Sequence, residues 1–90
     1  MPTEGTASQE GMDERGPELA ALGQAIRHRR HARRLSVKAL AREAGISSGH
    51  LSVIERGRGN PRLSTLFDIA EALGTTIDQL VIAAEAREVK

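Results

Sequence analysis

Three histidines and a dense run of arginines are the side chains with the most chemical capacity in this chain. His28 and His31 stand about one helical turn apart, a spacing that can hold a metal ion. Arg27, Arg29, Arg30 and Arg33 flank them, and no third ligand is near in sequence. That positive field repels a cation, so both histidines read as solvated surface residues and no metal is expected. Cysteine is absent, which excludes a thiol nucleophile, a cysteine metal site and a disulfide framework. No serine sits in a nucleophile elbow with a histidine and an acid in order, and no glycine loop before a lysine cradles phosphate. Gly57-Arg58-Gly59 reads as a turn between helices. The expectation is no enzyme and no cofactor.

The arginines point instead to a polyanion. Residues 1–16 carry Arg15 against four acids, a net −3. Residues 17–62 carry ten Lys or Arg against Glu18, Glu43 and Glu55, a net +7, and residues 63–90 return to −3. The overall +1 therefore hides a strongly basic stretch beside an acidic one, a distribution suited to docking a polyanion on one face. A single charge run is usually only a solvated helix face; this one coincides with the docking geometry described below. No apolar run approaches the roughly 20 residues of a membrane span, and the acidic, polar start is unlike a secretory signal. The expected location is the cytoplasm, without membrane attachment.

The elements that must position these charges are helical. Phe67 is the one aromatic residue, so Leu, Ile, Val and Ala must build the core, which suits packed helices better than a sheet. Residues 1–16 show no hydrophobic period and are expected to be disordered. Pro17 suits a helix start, and helix one is predicted over about 18–33 with Leu19, Leu22 and Ile26 inward. Ser36 caps helix two, Val37 to Ala44, and Gly45 closes it. Ser47 caps helix three, Ser48 to Arg56. Helix four spans about Leu63 to Leu73, with Leu66, Ile69, Ala70 and Leu73 at helical spacing. Thr76 and Gln79 form a capping box for helix five, whose inward face is Ile77, Leu80, Val81 and Ala84. The predicted class is all-α, with a domain at 17–86 and a tail at 87–90.

Helices two and three have the spacing of a helix-turn-helix. Such a pair crosses at about 90–120°, which needs a small residue at the contact, a glycine in the turn and apolar anchors on both sides. Ala41 and Gly45 supply the first two. Leu40, Ala44, Ile46, Leu51 and Ile54 supply the anchors. Ser48, Gly49, Ser52 and Val53 are left to face outward into a groove.

The run Leu22-Gly23-Gln24-Ala25-Ile26-Arg27, then Arg30, Leu35-Ser36, Leu40-Ala41 and Ala44-Gly45-Ile46-Ser47 resembles Cro/repressor-type (XRE-like) regulators. So do Leu51-Ser52, Ile54-Glu55-Arg56-Gly57, Asn60-Pro61 and Leu73-Gly74, and the likeness covers about residues 19–82. The resemblance implies a compact five-helix, lambda-repressor-like domain that binds DNA, usually as a symmetric dimer. It places a buried ion pair on Arg30 and Glu55, base contacts on Ser48, Gly49, His50 and Val53, and phosphate contacts on Val37, Lys38, Ser52, Arg56, Arg58 and Asn60. Three positions depart from the common pattern. Val37 stands where many relatives have Gln, Gly49 where many have a longer reader, and Arg34 where glycine often ends helix one. Direct readout is therefore expected to be sparse, with no arginine–guanine or glutamine–adenine fork.

The function that follows is a sequence-specific DNA-binding transcriptional regulator, a repressor, inserting helix 48–56 into the major groove of a near-palindromic operator. It would act as a homodimer, with Ile82, off the inward stripe of helix five, at the interface; Val89 is a second exposed apolar candidate. The alternative is a protein-interaction module, such as an antitoxin-like regulator with weak DNA binding, which would dock a partner through its acidic residues 63–90 or through the tail.

Overall fold

The computed structural model describes the backbone of residues 2–88 and the side chains of residues 16–87. Five helices follow in order: α1 Pro2–Ala32, α2 Val37–Ala44, α3 Ser48–Glu55, α4 Leu63–Ala72 and α5 Ile77–Glu88, with no strand among the described residues. The all-α expectation holds. Val89 lies outside the described residues, and α5 takes in the first two residues of the expected tail.

The start of α1 differs from the sequence reading. Pro17 is an interior position of α1, not its first turn. There Pro17 removes one backbone hydrogen bond and its ring crowds the carbonyl four residues back. Among the described side chains of α1, Ala21, Ala25, Ile26 and Arg30 are buried.

α1 packs on α3 and α5, α2 packs on α3 and α4, and α4 packs on α5. The main core joins Ile26, Leu40, Ala41, Ala44, Leu51, Ile54, Ile69, Ala70, Leu73 and Leu80, with Leu22, Leu35, Ile46 and Ile77 around its edge. A smaller cluster of Ala21, Ala25 and Ala84 brings α1 and α5 together. Val81 corrects the predicted inward face of α5: it is 41% exposed. Small alanines on both helices make the contact there, and Val81 is left on the rim of a recess with Leu19 and Leu22.

Close approach of α1 to the end of α3 depends on absent side chains. A Cβ added at Gly23 would lie 2.5 Å from the carbonyl oxygens of Ile54 and Glu55, and one at Gly57 would lie 2.5 Å from the Ala20 Cα. Backbone on both sides leaves neither contact a flexible partner to yield.

Candidate nucleic-acid interface

The pair α2–α3 is closed at its ends by its own residues. The Ser36 Oγ accepts from the Ala39 N–H at 3.0 Å, and the Ser47 Oγ accepts from the His50 N–H at 3.0 Å. Each satisfies one of the orphan donors at a helix start. Gly45, at φ 76°, turns the chain between the helices; its N–H donates to Arg42 O and the Ile46 N–H to Ala41 O. That left-handed turn sends Ile46 back to the core and starts α3 on a new heading.

A buried ion pair then ties α3 to α1. Arg30 Nε donates to Glu55 Oε2 at 2.7 Å and a terminal nitrogen donates to Glu55 Oε1 at 3.0 Å. The other terminal nitrogen reaches the Leu35 carbonyl at 2.9 Å. The side chains are only 9% and 6% exposed, and the planar guanidinium matches the carboxylate in two parallel bonds. Such a pair costs desolvation and adds little net stability over apolar residues, but it admits few orientations of α3 against α1.

On the outer side of α3, Gly49 and His50 are exposed, while Ser48, Ser52 and Val53 are half-buried. The loop after α3 folds back over Val53: a Cβ at Gly59 would meet Val53 Cγ1 at 3.3 Å. The Gly57 N–H donates to Ile54 O and the Arg58 N–H to Val53 O, fixing the turn that carries Arg58 and Asn60, both exposed. Lys38 on α2 and Arg56 at the end of α3 are exposed as well, and Val37 is half-buried.

The structure brings Val37, Ser52 and Arg56 together with the Arg30–Glu55 pair around one recess of about 200 Å³. Its sixth wall residue is Arg27, which is not among the contacts that the family resemblance implies. The signal was available: Arg27 lies three residues before Arg30, on the neighbouring part of the same helix face. Ile82 stands apart from these groups, 57% exposed on α5, which packs on α1 and α4.

Comparison with known proteins agrees with this geometry. Residues 21–81 match the family model described as a helix-turn-helix domain. The chain is 43% identical over 60 residues to the immunity repressor protein of Bacillus phage phi105, spanning 67% of this chain and 42% of that one. It is 44% identical over 59 residues to an uncharacterized transcriptional regulator in the ATPase CF(0) region of Rhodospirillum rubrum, spanning 66% of this chain and 55% of the relative. The chain thus spans about half the length of the curated relatives it matches. Among solved structures, the clp gene regulator ClgR from Corynebacterium glutamicum superposes with a TM-score of 0.78 at 30% identity, covering 80% of this chain and 77% of that one. The restriction-modification controller protein C.AhdI from Aeromonas hydrophila superposes with a TM-score of 0.68 at 32% identity, covering 69% and 94%. With the family model spanning residues 21–81, which take in α2 and α3, this chain belongs to the XRE-type helix-turn-helix family of transcriptional regulators.

Proposed function

We propose that residues 17–86 form a sequence-specific DNA-binding domain that regulates transcription as a repressor, by occupying an operator and without catalysis. The observation that carries this reading is the setting of α3. Its outer side exposes Gly49 and His50, arginines and a lysine stand around it, and Arg30–Glu55 holds it against α1. In the major groove, Val53 would meet thymine methyls and His50 or Ser48 would make one polar base contact. With such short readers, DNA shape carries much of the remaining specificity. Lys38, Ser52, Arg56, Arg58, Asn60 and the backbone at Val37 would meet phosphates.

The regulator acts as a homodimer in the cytoplasm on this reading. Ile82 would lie near the two-fold axis, where one substitution acts on both subunits. Two α3 helices about 34 Å apart would then read successive major grooves of a near-palindrome. The immunity repressor among the relatives supports the repressor reading over activation.

Salt dependence is the test. A complex with roughly 6–10 phosphate contacts loses ~10³–10⁵ in affinity between about 50 and 200 mM salt. Arg58→Glu is expected to weaken binding to every duplex alike. A flat salt response, with a protein partner captured in its place, would favour the interaction-module reading, to which the exposed Leu63 and Phe67 on α4 lend support.

A further inference from the structure

We propose that the recess between α1, α2 and α3 is a phosphate site, and that Arg27 on α1 and Arg56 at the end of α3 clasp one backbone phosphate of the bound DNA in it. The inference rests on the DNA-binding reading above and adds a contact residue, Arg27, from outside the helix-turn-helix.

The recess is lined by Arg27, Arg30, Val37, Ser52, Glu55 and Arg56. Its one acid is already spent: both Glu55 oxygens accept from Arg30, and Arg30 also donates to the Leu35 carbonyl. The floor is therefore a neutralised pair. Arg27 and Arg56 are exposed, and neither makes an ion pair among the described residues. The recess thus carries two uncommitted positive charges, about +2 after the pair cancels, beside the Ser52 hydroxyl. Val37 contributes an apolar wall without a donor. Guanidinium forks match a phosphate's oxygens in geometry and stay charged at any working pH.

Location decides between a phosphate and a carboxylate from a protein partner. Residues 49, 52, 53 and 56 recur at the spacing of one helix face, so the recess continues the exposed side of α3. A helix lying in the major groove has the sugar-phosphate backbone along its flank, which is where Ser52 and Arg56 sit. Arg27 reaches the same place from α1. The contact would therefore set the depth and tilt of α3 in the groove without reading sequence.

The test compares the parent with Arg27→Ala, Arg27→Lys and Arg42→Ala, an exposed arginine on α2 outside the recess, on one duplex selected from a random library. Arg27→Ala is expected to weaken binding roughly tenfold to a hundredfold and to lower the slope of log affinity against log salt by about one per bound domain. Arg27→Lys should retain the slope and part of the affinity, and Arg42→Ala should stay within about threefold of the parent. Neutralising single phosphates as methylphosphonates should locate one position that weakens the parent but not Arg27→Ala. The melting temperature of Arg27→Ala should match the parent, because the side chain is exposed. Parental affinity and slope in Arg27→Ala would overturn the phosphate site while leaving DNA binding intact. Loss of affinity with unchanged slope and unchanged methylphosphonate pattern would overturn it too. A parent that ignores the duplex yet binds a polyglutamate peptide through Arg27 would overturn both readings and assign the recess to a protein carboxylate.

Discussion

Both ends of α2 and of α3 are closed by the chain itself, through Ser36, Gly45, Ser47 and the turn at Gly57, whereas α4 begins at Arg62 with no side-chain cap. The same asymmetry runs through burial and charge. Around α2–α3 the buried charges are paired and the exposed side chains are polar or charged, Glu43 among them. On α4 and α5 the surface keeps Leu63 at 62% and Phe67 at 57% exposure, and Val81 and Ile82 are exposed as well. One region has its geometry completed internally, and the other presents apolar surface. A reading element needs a fixed orientation before it meets DNA, since a misaligned helix loses several contacts at once. An assembly surface needs apolar area left uncovered until a second molecule arrives. The two finishes fit those two tasks.

Breaking the internal lock should have the largest effect. Glu55→Ala leaves Arg30 buried with an unanswered charge, and removing one partner of such a pair costs about 3–5 kcal/mol. That is a large share of the roughly 5–15 kcal/mol of a typical domain. Replacing both residues, Arg30→Met with Glu55→Leu, should recover most of the stability but loosen the angle of α3. Chemical denaturation is then expected to show a near-parental double variant, while its DNA affinity remains impaired. If the double variant also binds DNA as the parent does, the pair is not what orients α3, and the contrast between the two regions loses its first term.

How much of this could be read beforehand depends on the kind of residue. Ser36, Gly45, Ser47 and Thr76 were legible because a cap is a local event, decided by one side chain and the backbone three residues on; the Gln79 N–H does donate to Thr76 Oγ1 at 3.1 Å. Arg30–Glu55 was not readable from spacing, since 25 residues separate the partners; only the family likeness joined them. Val81 was misplaced because helical periodicity names a stripe but not its width. The width is set by what lies opposite, and small Ala21 and Ala25 let α1 meet α5 at Ala84. For Arg27 the sequence offers only its place one turn before Arg30; the recess itself needs three helices, and no one helix contains it. The interior placement of Pro17 went unread because proline favours a first turn and costs about 3 kcal/mol inside a helix.

The apolar region gives the next, smaller effect. Ile82→Lys should leave helicity and the melting temperature near parental, because the side chain is exposed. On the proposed dimer it should shift sedimentation toward monomer and weaken operator binding, as two charges would meet near the axis. The paired variant Phe67→Ser separates the patches: if it, and not Ile82→Lys, dissociates the protein, then the interface lies on α4. A parent that is monomeric both free and on DNA would remove the assembly half of the comparison.

The smallest effect concerns how the helices of both regions end. Four helices end in one hydrogen-bond pattern, in which the left-handed residue donates to the carbonyl three back and its successor to the carbonyl five back. Arg34, Gly45, Gly57 and Gly74 are the four residues at that position, with φ of 58°, 76°, 76° and 72°. Three are glycine, and Arg34 alone carries a Cβ into the left-handed region, at a cost of roughly 1–2 kcal/mol. Arg34→Gly relieves that strain but gives the unfolded chain more freedom, so the net gain should be about 0.5–1 kcal/mol, a rise of a few degrees in melting temperature for a domain this size. Arg34→Ala removes the same charge and keeps the strained φ, so it should show no gain. The difference between the two isolates backbone strain from electrostatics. If both bind DNA equally less well than the parent, the arginine is kept for its charge against the stability it forfeits. Equal melting temperatures for the two would mean that this helix end tolerates a side chain as readily as the others tolerate its absence.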